Sequence, residues 1–133
     1  MGGLEHDDAR ELRDLSIELI AQLDRAVDSA QEQLAEPEID AYRRAAGWVM
    51  GEIAAAVLRP LFTSHPDLQP DYEDWGRIAS RRVGTHAGRQ SGSVAAALAP
   101  KLHRMRHILG RDGGFAVDEA VRKLDEMDGF VAA

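Results

Sequence analysis

Three stretches of this sequence carry residues whose types and spacing could do chemistry. His103 and His107 stand one helical turn apart, a spacing that can hold a divalent metal. The residues between them are Arg104, Met105 and Arg106, and no acid lies anywhere in residues 77–111 to supply a third ligand. Two guanidinium groups repel a cation. The pair therefore reads as part of a basic helix face, and no metal or other cofactor is expected.

Glu52 is the second candidate. It is the one charge in the fourteen residues from Ala45 to Leu58. A carboxylate desolvated among apolar side chains has its pKa raised and can serve as an acid or base. No second carboxylate or histidine stands one turn away, and Arg59 follows seven residues on. The plainer reading is a semi-exposed glutamate bonded to an arginine.

The third is GTHAGRQSGS, residues 84–93. It fails the Walker pattern: only three residues separate Gly84 from Gly88, and Arg89 is followed by Gln90. A weaker anion site remains. Arg81, Arg82 and Arg89 are close in sequence, and His86 can gain charge as pH falls. Ser91 or Ser93 can cap a following helix whose first N–H groups would face an anion. The competing reading is an ordinary connector. A helix-turn-helix match over 77–98 is poor, because about nine residues separate the helical patterns where that motif has a turn of three or four.

These residues must be positioned by helices. Apolar residues make up 44% of 133 residues, and aromatics only 5%. Alanine and leucine dominate, which favours helix over sheet. With no cysteine, disulfides, thiolate metal sites and cysteine nucleophiles are excluded. The acidic start MGGLEHDDARELRD has no apolar core of a secretory signal, so a cytoplasmic protein is expected.

The segment the chain is expected to organise around is 39–62. Ile39, Tyr42, Ala46, Val49, Met50, Ile53, Ala54, Val57 and Leu61 share one broad helical face. Gly47 and Gly51 lie beside it, four apart. Glycine inside a helix costs roughly 0.5–1 kcal/mol against alanine, so two of them call for the close approach of a neighbouring backbone. The apolar run is short and broken by Glu52, which argues against a membrane span.

Before this segment, Leu12, Leu15, Leu19, Leu23, Ala26 and Ala30 predict a first helix from Asp8 to Ala35. Its opposite face, with Glu11, Asp14, Glu18, Asp28 and Glu32, is expected in solvent. Pro60 is expected to kink or end the central helix. Shorter helices are predicted over Tyr72–Val83, Ser93–Leu109 with a kink at Pro100, and Ala116–Met127 with Val117, Ala120, Val121, Leu124 and Val131 inward. The fold expected is all-α: a long antiparallel helical hairpin with about three shorter helices packed on it. A single domain is expected over 1–133, with the first ~7 residues disordered.

Charge divides the chain sharply. Residues 1–40 hold twelve acids and three bases, residues 77–111 eight bases and no acid, and residues 112–133 six acids and two bases. The leading functional expectation is a non-enzymatic interaction protein, homodimeric through a second surface on the central helix: Gly47, Trp48, Gly51, Glu52 and Ala55. The alternative is a binder of nucleic acid or a phosphorylated ligand through 77–111. If the basic segment is neutralised within the chain, that alternative loses its motive.

Overall fold

The computed structural model describes residues 4–80, 93–110 and 114–132. Every regular element among them is helical, so the chain is all-α. Helix α1 spans His6–Gln33, and α2 spans Glu38–Ile53. A π-helical turn, Ala54–Leu58, leads into α3, Arg59–Ser64. After a 3-10 turn at Pro66–Leu68 comes α4, Tyr72–Ser80. Helix α5 is Val94–Leu109 and α6 is Gly114–Ala132.

Four of these helices close a ring. The connection from Gln33 to Glu38 is short, and α1 and α2 pack against each other. On the far side of α2 lies α6, with Lys123 Nζ 5.7 Å from the centre of the Trp48 ring. One turn and a half further along α6, the charge of Asp128 bears on Tyr42 near the start of α2, so α2 and α6 run in opposite directions. Helix α5 is held to α6 by Arg106–Asp118 at one end and by Asp128 on Val94 at the other. Arg104 of α5 then reaches Glu11 of α1, and the ring is complete.

Apolar stripes from the four helices fill the middle. Leu12, Leu19 and Leu23 meet Val49 and Ile53, Leu98 and Met105, and Leu124 and Met127, all of them fully buried. The three- and four-residue spacing predicted from sequence is what produces these stripes. Val121 and Val131 do not join them: each is 40% exposed, and Met127 takes the inward place instead.

A second, smaller core lies outside the ring. Helix α4 packs across the outer side of α1 and joins Ile78 to Ile17 and Leu58, flanked by Trp75 and Phe62. Its effect on α1 is large. Leu15, Ser16, Ile17, Glu18 and Leu19 are five consecutive buried residues, so the helix is enclosed all round at its middle. The expected solvent face of α1 is thus corrected at Glu18, which is 3% exposed. Helix α1 shares the organising role with the 39–62 segment, whose Tyr42, Val49, Ile53, Val57 and Leu61 line the main core.

Pro60 does not end the helix. Helical structure runs unbroken over Glu38–Ser64. A proline ring would clash with the carbonyl four residues earlier, Ala56, and it lacks the N–H that would bond there. The π turn opens the helix at that carbonyl: Arg59 N–H reaches back five residues, to Ala54 O. Pro100 likewise sits inside a single helix rather than between two.

Ser16 supplies a test of this packing. Its hydroxyl is fully buried and finds no hydrogen-bond partner. Such a group costs about 1–3 kcal/mol, and alanine is also the better helix former. Ser16→Ala should therefore stabilise the protein by about 1–2 kcal/mol in urea denaturation; a loss of stability would show that the hydroxyl is satisfied.

Candidate functional site

The outer face of the α2–α3 rod is a surface that the core does not use. Gly47 and Gly51 are exposed, and a Cβ built on either meets no atom within 4 Å. The close approach expected there is not made by any of the described residues. Ala54, Ala55 and Ala56 are exposed in succession, because the π turn presents three neighbouring residues outward. Trp48 is half-buried, with its ring against Lys123 of α6.

Charges stand at the two ends of this face. Near its start are Asp40 and Arg43, in a loose contact of 3.6 Å, and Arg44. At its other end is Arg59, exposed and without an ion pair among the described residues. Glu52 is half-buried at the margin and, contrary to the expectation, bonds to neither Arg59 nor any other described arginine.

The basic segment is only partly within the described residues. Arg81, Arg82, His86, Arg89 and Ser91 lie outside them. The bases that are described meet acids of the same chain. Arg77 pairs with Asp74, and Arg106 Nη1 is 2.7 Å from Asp118. Arg104 grips Glu11 with two hydrogen bonds, 2.7 and 2.8 Å. That last contact joins the basic segment to the acidic first helix.

Ser93 caps α5, as expected, and its side chain accepts from Ala96 N–H at 2.9 Å. The N–H groups that could face an anion are already taken. Val94 N–H donates to Asp128 at 2.7 Å and Ala95 N–H at 3.1 Å, and Ser93 Oγ donates to the same carboxylate. An external anion would have to displace Asp128. Burial, with the Asp128 charge, also pushes the Tyr42 phenol pKa up.

His103 and His107 are exposed on α5, and no group of three metal-ligating side chains forms among the described residues. A histidine contact that the sequence did not suggest lies elsewhere. His6 Nε2 donates to Asp67 at 2.6 Å, with the His65 ring edge-on at 5.8 Å. The bond holds the Asp67 carboxyl below its usual range. These partners are 61 residues apart, so no local spacing could reveal them.

Between α1 and α4 is an open pocket of about 290 Å³ bordered by Arg13, Asp74, Arg77 and Ile78. Its bases are committed: Arg13 to Asp14 and the Leu68 carbonyl, Arg77 to Asp74. Comparison with family models, with curated proteins and with solved structures finds no match to this chain.

Two carboxylates separate the readings. Asp128 serves three donors and should cost about 1–3 kcal/mol when replaced by alanine, since charged hydrogen bonds and a helix cap are lost together. Glu52→Ala should change stability by no more than about 0.5 kcal/mol, as for other unpartnered surface positions. Thermal or urea unfolding checks both, and the reverse order would mean that Glu52 rather than Asp128 carries structure.

Proposed function

We propose that this chain is a non-enzymatic helical interaction protein that works as a homodimer. The observation that carries this reading is the outer face of the α2–α3 rod: backbone laid bare at Gly47 and Gly51, three exposed alanines, and none of the described elements against the two glycines. Each glycine costs the helix roughly 0.5–1 kcal/mol. No described residue uses the space, which supports contact with another protein there.

The alternative, an anion ligand on 77–111, has less support. Arg77, Arg104 and Arg106 are neutralised by Asp74, Glu11 and Asp118, so the local positive field is smaller than the sequence implies. A catalytic role is not favoured by any nucleophile–base pair among the described residues.

The rod Glu38–Ser64 is long and apolar enough, by length and composition, to cross a membrane. Its larger apolar side chains argue for the bundle instead. Val49, Ile53, Val57 and Leu61 sit in the core, and taking them into lipid would unpack it. We therefore read the rod as a packed helix with one face left for a partner.

Light scattering or sedimentation equilibrium at tens of micromolar tests the proposal. The expected mass is twice 14.6 kDa. The monomer mass throughout that range would contradict it.

A further inference from the structure

Resting on the homodimer reading, we infer that the partner is a second copy laid antiparallel along the outer face of the α2–α3 rod, with the two-fold axis level with Val49 and Asp40 of each copy opposite Arg59 of the other.

The argument begins with shape. Small residues at four-residue spacing let two helix backbones approach closely, because no side chain stands between them. Gly47 and Gly51 meet this condition, with nothing among the described residues within 4 Å of either Cβ position. The exposed residues between Arg44 and Arg59 are Gly47, Gly51, Ala54, Ala55 and Ala56, none of them polar.

Charge then selects the direction. Asp40 stands nine residues before Val49 and Arg59 ten after it. Reversal about Val49 therefore brings each acid opposite a base, twice over. Arg43 and Arg44 fall opposite Ala55 and Ala54, which are uncharged. A parallel arrangement would set Asp40 against Asp40, Arg59 against Arg59, and the arginine pair against itself. Like charges opposed in this way disfavour the wrong register.

The available partners fit the same picture. Arg59 is exposed and has no ion pair among the described residues, and Asp40 is only loosely engaged by Arg43 at 3.6 Å. At 1.5 Å per residue the two charges sit roughly 14 Å either side of the axis. A shallow crossing near 20° keeps them within reach of long side chains. The contact is isologous, the usual form for a two-fold dimer, and it closes without leaving a sticky surface.

The test is sedimentation of variants across a concentration series, each with a thermal melt. Gly51→Gln should leave the fold intact, since its Cβ meets nothing and glutamine is the better helix former. It should weaken the dimer by at least about tenfold by blocking the approach. Asp40→Arg and Arg59→Asp should each weaken it by a similar factor, and an equimolar mixture of the two should restore association. Wild-type dimer that persists unchanged in Gly51→Gln would overturn this face while leaving the homodimer standing. Failure of the mixture to recover would overturn the antiparallel register. A monomeric wild type, whether free or bound to neutral lipid vesicles, would overturn the homodimer itself.

Discussion

The structure depends on the enclosure of α1. Five consecutive residues, Leu15 to Leu19, are buried on a helix whose first turns are acidic. Burial on one side comes from the four-helix core, through Leu12, Leu19 and Leu23. On the other it comes from α4, through Ile78 on Ile17. A helix caught between two layers cannot offer a solvated face at that level, which is why Ser16 and Glu18 are taken inside. Polar groups at such positions are costly unless satisfied.

The charge division follows from the same arrangement. Acids and bases that are far apart in the chain are neighbours in the bundle. Glu11 of α1 lies against Arg104 of α5, and Asp118 of α6 against Arg106. Asp128 lies at the positive end of α5, where its carboxylate meets two backbone N–H groups and the Ser93 hydroxyl. The basic and acidic blocks thus do structural work on each other, and the exposed pairs among them add little stability individually. The ring also leaves over the outer side of α2 and α3, where glycines and alanines lie between charges at the two ends.

Much of this was legible in the sequence, and the limits have physical causes. Helical periodicity located the elements, because each helix contributes a stripe to one core. The first helix begins and ends two residues earlier than its pattern suggested, as helix ends are set by local capping rather than by periodicity. Glu18 is indistinguishable by spacing from the solvated acids around it; only the docking of a second layer buries it. Pro60 reads as a breaker by local rules, and the π turn before it removes the clash without stopping the helix. The outer face was legible from Gly47 and Gly51, but a single chain could not tell whether their neighbour was internal. The His6–Asp67 bond left no local signature at all.

Native-state hydrogen exchange of α1 addresses the account most directly. Amides of an enclosed helix should open only when the whole molecule does, while a layer packed on the outside can detach first. The amides of Leu15 to Leu19 should therefore exchange with the free energy of global unfolding measured by denaturant, and those of α4 with less. Exchange of the α1 amides at a markedly lower free energy, with α2 and α6 still protected, would show that α1 is not the element on which the rest is built.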